Sequence, residues 1–390
     1  MNNVGLKLGF LGIGQCGGNI ANEFAKIGYK SIAINTSSTD LSKLDHIHET
    51  NQLLISTGIQ GAGKNPEFGK QALEEHIEDV MHLISQVFDE DMDMLFVCAG
   101  LGGGTGSGIA PLLTQILTEQ GQDTGMVVTI PSQMESPKVK IVALTAFEEL
   151  SQNADLGTVF VVDNSKTTNL PSTMGIQTKY NIVNENVARK LHAINEISTM
   201  PSEVSFDARD FKTLLEARGS ALITTINIED IAELKEDAFL AMMAQRTLKD
   251  TIYAATDFKH AKGCAFLFEL PEGGSNFLTE DSFYKMQREF GTPFETFMGL
   301  YERKQKGRDV TLSVLLTGLP FPQESLTTLR TSVEEQANNL ESLFDTSENQ
   351  KFSGGGSELM NRFVKKPGAK KDAKQGDSTL DRLLSKKKKK

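Results

Sequence analysis

Two glycine-rich stretches carry the strongest chemical signal in this sequence. Gly12-Ile-Gly14-Gln15-Cys16-Gly17-Gly-Asn19 follows an apolar run from Lys7 to Ile13. Gly102-Gly103-Gly104-Thr105-Gly106-Ser107-Gly108 follows a second one, Met94 to Ala99. Glycine lets the main chain turn sharply and bring its N–H groups close to a phosphate, and a helix opening behind the turn adds partial positive charge. The first stretch also fits the Gly-x-Gly-x-x-Gly of dinucleotide folds. Those folds expect an acid at the end of the second strand to hold a ribose hydroxyl, whereas this strand ends in Asn35-Thr36. The second stretch holds five glycines in seven residues, where a plain connector needs one or two. Thr105 and Ser107 add hydroxyl donors. The loop contains no lysine and the chain has no P-loop pattern, so N–H dipoles and a metal ion must meet the phosphate charge.

The elements that position these loops follow from periodicity. Short apolar runs at Lys7–Ile13, Ser31–Asn35, Met94–Ala99, Met126–Ile130 and Thr158–Val162 read as buried strands. Helical spacing separates them at Gly17–Ile27, Pro66–Phe88, Ile109–Leu117 and Val139–Leu150. Regular alternation of this kind predicts an α/β fold, a Rossmann-like parallel sheet covered on both faces. A long helix over Tyr180–Thr199 comes next. Strands at Ala221–Ile228, Gly263–Leu270 and Val310–Leu316 then alternate with helices at Ile231–Ala254 and Glu280–Phe290, which predicts a second, smaller α/β domain. Gln323–Phe344 reads as a C-terminal helix, and the Lys-rich segment beyond it as disordered.

Composition bounds the function classes. The chain of 390 residues is 39% hydrophobic and 23% charged, which excludes a collagenous, coiled-coil or wholly disordered protein. No apolar run reaches the length of a membrane-spanning helix, and the N-terminus does not read as a signal peptide. Three scattered cysteines, Cys16, Cys98 and Cys264, form neither a disulfide framework nor a zinc pattern and point to a reducing cytoplasm. The six histidines lack metal-ligand spacing and read as surface or packing residues. The net charge of −11 divides into an acidic body and a basic tail: residues 350–390 carry 13 Lys/Arg against 4 Asp/Glu, the rest 27 against 47. Any direct contact with DNA would therefore fall to the tail alone.

With these residues in place, the sequence resembles the tubulin/FtsZ superfamily over about residues 5–320. Gly102 to Ser107 and Gly108 match its signature loop, and Gly14, Gln15, Cys16 and Gly17 its first loop in the tubulin form. Gly61-Ala62-Gly63-Lys64-Asn65-Pro66 resembles the loop that faces the terminal phosphate. The resemblance implies a GTPase holding GTP or GDP with Mg2+. Asn19, Ala62, Gly63, Lys64, Asn65 and Asn164 join the phosphate and sugar contacts, and Gln15 is an outer partner of the metal. Tyr180 stacks on guanine while Asn184, one helical turn on, reads its edge. Glu135 and Lys138 take the place of the pair found near the ribose.

Within the superfamily the resemblance is nearest to the TubZ branch, which partitions plasmids and phages. Ser205-Phe-Asp207-Ala-Arg-Asp210-Phe211 resembles its catalytic loop and Gly318-Leu-Pro-Phe-Pro322 its turn before the C-terminal helix. Asp207 and Asp210 are then catalytic toward the nucleotide of a neighbouring copy, so hydrolysis accompanies head-to-tail filament assembly; as residues they also suit an acidic helix cap. The implied layout is a GTP-binding domain over 1–179, a central helix over 180–200, an activation domain over 201–322, a C-terminal helix over 323–349 and a disordered basic tail over 350–390. The implied partner is a TubR-like DNA-binding adaptor on centromere DNA, contacted through the C-terminal region. Thr379 to Leu384 with Lys386–Lys390 reads either as a docking element or as a solvated tail. An FtsZ-like division scaffold is the alternative within the family, and an NAD(P)-dependent oxidoreductase is the alternative outside it.

Overall fold

A computed structural model of the protein describes residues 5–56, 60–88, 91–202, 204–249, 251–254, 257–303, 307–345 and 378–387. Ten strands form one sheet: β1 (Leu8–Ile13), β2 (Lys30–Asn35), β3 (Gln52–Leu54), β4 (Met94–Gly100), β5 (Thr124–Ile130), β6 (Thr158–Asp163), β7 (Gly219–Ile228), β8 (Gly263–Pro271), β9 (Glu295–Arg303) and β10 (Val310–Leu319). Their order is β3-β2-β1-β4-β5-β6-β7-β10-β8-β9. The first seven run parallel to their neighbours, β10 is antiparallel to both β7 and β8, and β9 is parallel to β8. The second half of the chain thus extends the first half's sheet, joined where Thr158–Phe160 pair with Gly219–Ala221.

The helices are α1 (Gly14–Lys26), α2 (Ser38–Leu41), α3 (Pro66–Val87), α4 (Gly104–Glu119), α5 (Pro137–Ser151), α6 (Ile176–Ile197), α7 (Ala208–Glu216), α8 (Asp237–Lys249), α9 (Glu280–Glu289), α10 (Gln323–Asp345) and α11 (Thr379–Lys387). Strict alternation along the strands feeds two cores, one per face. Met94, Phe96 and Cys98 of β4 join the α1 and α6 side, whereas Leu95, Val97 and Ala99 join the side covered by α3, α4 and α5. All residues of β1, β5 and β6 are buried, as a sheet covered on both faces requires. Among the described residues no helix is long and apolar enough to cross a membrane.

Several details depart from the sequence reading. The segment expected as one helix over Ile231–Ala254 divides into a 3-10 turn, Ile231–Lys235, and α8. Asp230 caps the turn through the Ala232 amide, and Glu236 is extended between the two. The central helix starts at Ile176, one turn before Tyr180. β3 and β9 were not expected as strands. Within the segment expected to be a disordered tail, residues 379–387 form α11, which packs on α3 and α4; residues 346–377 lie outside the described residues.

Candidate nucleotide site

The C-terminal ends of β1, β2, β4 and β5 open into a cavity of about 570 Å3, where an open α/β sheet places its ligands. Backbone crowding shapes its floor. Gly14 turns the chain out of β1 with φ +70°, and a Cβ on Gly17 would lie 1.9 Å from the Cys98 carbonyl oxygen. Gly17 therefore lets α1 sit against β4 and does not itself line the cavity. We expect Gly17→Ala to destabilise the fold by about 1–3 kcal/mol, because the clash is with main chain that cannot rotate away. Thermal unfolding checks this; an unchanged midpoint would contradict the packing.

Most glycines of the second loop have the same cause. A Cβ on Gly104 would lie 2.6 Å from that of Ala62, one on Gly106 2.6 Å from the Gly100 carbonyl oxygen, and one on Gly108 2.1 Å from the Pro66 carbonyl oxygen. Helix α4 thus begins within the loop, five residues earlier than periodicity predicts, and threads between β4 and the start of α3. Gly103 is different: its Cβ would meet nothing within 4 Å, and it lines the cavity. Ser107 is buried and its Oγ accepts the Gly102 amide at 2.8 Å, closing the loop from behind.

A third loop, Gly61–Asn65, completes this end of the cavity. Gly61, Gly63 and Lys64 all take left-handed backbone, with φ of +88°, +54° and +59°. The Gly61 amide donates to the Thr36 carbonyl and the Asn65 amide to the Ala62 carbonyl. Asn65 caps α3, its Oδ1 accepting the Glu67 amide at 3.2 Å, and it stays outside the lining. The Thr36 and Thr105 hydroxyls share a hydrogen bond of 2.7 Å, tying the end of β2 to the loop before α4.

At the other end, α6 presents Tyr180, half-buried, and Asn184, buried, one turn apart on the same wall, with Gln177 a turn earlier. Burial pushes the Tyr180 phenol up and the Glu135 carboxylate adds to it. Burial likewise raises the Cys16 thiol, whose Sγ lies 3.4 Å from the Thr129 hydroxyl, so it stands in the wall as a neutral group.

Of the expected residues, Gly14, Gln15, Cys16, Asn19, Ala62, Gly63, Lys64, Gly102 to Gly106, Glu135, Asn164, Tyr180 and Asn184 come together around this one cavity. Gly17, Asn65 and Ser107 stand behind the wall, and Lys138 is exposed on the first turn of α5, outside the lining. The sequence reading missed Asn35, Thr36, Asp40, Thr129 and Gln177. Asn35 and Thr36 were available from their place at the C-terminal end of a parallel strand.

Asp207 and Asp210 are elsewhere. They form a reciprocal cap on α7: the Asp207 carboxylate accepts the Arg209 and Asp210 amides, at 2.8 and 3.0 Å, and Asp210 Oδ2 accepts the Asp207 amide at 3.1 Å. Helix α7 runs along the N-terminal edge of the strands, where Lys212 pairs with Asp123, the residue before β5, at 3.0 Å. The two carboxylates and the cavity therefore occupy opposite edges of one sheet.

Residues 7–171 match the pattern described as Tubulin/FtsZ family, GTPase domain. These residues are a tubulin/FtsZ-family GTPase domain. The chain is 35% identical over 216 residues to the tubulin-like protein CetZ of Pyrococcus abyssi, covering 54% of this chain and 58% of that protein. It thus spans little more than half the length of such archaeal relatives. It is 26% identical over 359 residues to the tubulin-like protein TubZ of Bacillus cereus, covering 82% of this chain and 81% of TubZ. A GTPγS-form protofilament of Bacillus thuringiensis serovar israelensis TubZ superposes with a TM-score of 0.76 at 20% identity, covering 89% of this chain and 96% of that one. The tubulin/FtsZ match decides the reading of the first glycine loop against the dinucleotide-dependent oxidoreductase.

Proposed function

We propose that the chain binds GTP in this cavity and hydrolyses it only where a second copy stacks on the first. The observation that carries the reading is the separation of Asp207 and Asp210 from the cavity by the height of the sheet: the acceptors that would orient an attacking water reach a nucleotide only across a junction between copies. Exposed apolar side chains mark both edges, Met134 beside Glu135 at the cavity and Phe294, just before β9, on the carboxylate side; each is 92% exposed. A contact that repeats head to tail without closing makes a filament.

Phosphoryl transfer through a loose transition state calls for positioning and charge compensation rather than covalent chemistry. The main-chain amides of the three loops and Lys64 hold the phosphates. A Mg2+ ion bound with the nucleotide would supply neutralising charge at the phosphates, and Gln15, which lines the cavity, would help to hold it. Asn184 reads the guanine edge and Tyr180 stacks on the ring. Asn184→Ala is expected to cut the preference for GTP over ATP by about 10-fold or more, since a hydrogen-bonding site rejects the wrong edge strongly. Competition binding with both nucleotides measures it, and an unaltered ratio would remove the assignment.

The proposed role is segregation of plasmid or phage DNA by such filaments, in the cytoplasm, with a TubR-like adaptor on centromere DNA engaging the C-terminal region. The likeness to TubZ over four-fifths of both chains supports this reading; an FtsZ-like division scaffold, matched at the same 26% identity over 83% of the chain, is the alternative that the adaptor experiment separates from it. GTP turnover per copy should rise steeply with protein concentration, and co-sedimentation with adaptor-bound centromere DNA tests the partner. Turnover independent of concentration would contradict the proposed junction site.

A further inference from the structure

Helix α11 lies on the body of its own chain, far in sequence from what it touches. Its apolar residues Leu380, Leu383 and Leu384 follow helical spacing. Leu383 is buried in the core cluster beneath α3 and α4, and Leu380 and Leu384 pack against that cluster. The polar contacts gather at its N-terminus. Ser378 Oγ accepts the Asp381 amide at 3.2 Å and donates to the Asp381 carboxylate at 2.9 Å, which caps the helix. The Thr379 amide and hydroxyl both donate to Glu119, the last residue of α4, at 2.7 and 2.8 Å. The Gln115 side-chain amide donates to the Thr379 hydroxyl at 3.2 Å and to Glu119 at 2.8 Å.

Glu119 is informative because its own helix disfavours it: an acid at a helix C-terminus faces the negative end of the dipole. Against the N-terminus of α11 the same charge is favourable. Burial pushes the Glu119 carboxyl up, but the Thr379 bonds, the Gln115 bond and the nearby Arg382 charge outweigh it and hold the group below its ordinary value. A helix of nine residues does not persist alone in water, so α11 exists because the groove completes it.

We propose that the groove between α3 and α4 is a receptor for α11 of the same chain, and that docking withholds the C-terminal segment from other partners. The 32 residues between α10 and Ser378 span at most about 110 Å when extended, ample for return to the same body. A tether of that kind gives an effective concentration near the mM range, which favours the chain's own helix over a free competitor. The inference rests on the packing of α11 and is independent of the nucleotide reading.

Hydrogen exchange on the full chain, free of nucleotide and at several protein concentrations, tests it. Residues 379–387 should exchange at least about 10-fold more slowly than in Leu383→Asp, to the same degree at every concentration. The variant should also speed exchange on the covered faces of α3 and α4 while leaving the sheet unchanged. Glu119→Lys, at an exposed position that does not threaten the fold, should lose much of the protection. Exchange of α11 as fast in the parent as in Leu383→Asp would overturn the proposal. So would equal protection in all three chains, or protection that grows with concentration, which would place the helix in another copy's groove.

Discussion

Asp210→Asn should lower GTP turnover by about 10²–10⁴-fold, the range for losing a positioned proton acceptor, while nucleotide binding and self-association should persist. The substitution is chosen for what it preserves. The amide oxygen of Asn can still accept the Asp207 amide, so the cap on α7 survives. Asp207→Ala, in contrast, removes the side chain that accepts two amides and forfeits about 1 kcal/mol of capping as well. Burial is the largest influence on Asp210 and raises its pKa; the Asp207 amide bond works against it, and the Asp207 and Glu295 carboxylates push the same way as burial. A carboxylate that holds its proton more tightly is a better acceptor once ionised, but it is lost sooner on acidification. Turnover should therefore fall as pH drops, with a midpoint above the ordinary aspartate range, and Asp210→Asn should abolish that limb of the profile. Steady-state GTP hydrolysis alongside sedimentation measures both; parent-like turnover would remove Asp210 from the reaction.

Gly103→Asp is the second large effect, and it acts at the opposite edge of the sheet. Gly103 has extended backbone, φ −86° and ψ 159°, that any residue adopts, and open space where a Cβ would stand. The fold should accept the new side chain with a melting temperature close to the parent's in the absence of nucleotide. A carboxylate would then face the phosphates. Two like charges about 4 Å apart repel by ~4 kcal/mol at an effective dielectric of ~20, roughly 10³-fold in affinity. Nucleotide titration with a fluorescent analogue should give that loss. Gly104→Asp provides the contrast, since its Cβ would stand 2.6 Å from the Ala62 Cβ and the fold itself should suffer. Equal affinity for Gly103→Asp and parent would contradict the placement of the phosphates.

Much of this arrangement is legible in the sequence alone. Continuous apolar runs marked every buried parallel strand, because a strand covered on both faces needs no polar alternation. The elements that escaped have physical reasons. β3 has three residues, too few for any period. β9 is an edge strand exposed at both ends and interrupted by Gly299. The groove contact of α11 depends on three leucines among lysines, a signal that composition outweighs. The second glycine loop was read as an anion cradle on glycine count; three of its five glycines are instead required by the close approach of α4 to Ala62, Gly100 and Pro66. The capping role of Asp207 and Asp210 was visible from their spacing, whereas their distance from the cavity was not, since only the sheet's direction separates the two edges. Lys138 faces away for a similarly local reason: on the first turn of α5 it is Val139 that turns into the cavity.

The central claim is that one copy holds the nucleotide and the next supplies the carboxylates, and mixing two damaged chains tests it most directly. Gly103→Asp lacks the nucleotide but keeps Asp207 and Asp210; Asp210→Asn keeps the nucleotide but lacks the acceptor. Each alone should be nearly inactive. In an equimolar mixture roughly a quarter of head-to-tail junctions bring an intact cavity against intact carboxylates, and GTP turnover should recover to that order of the parent rate. A mixture no more active than its two components would contradict the shared site.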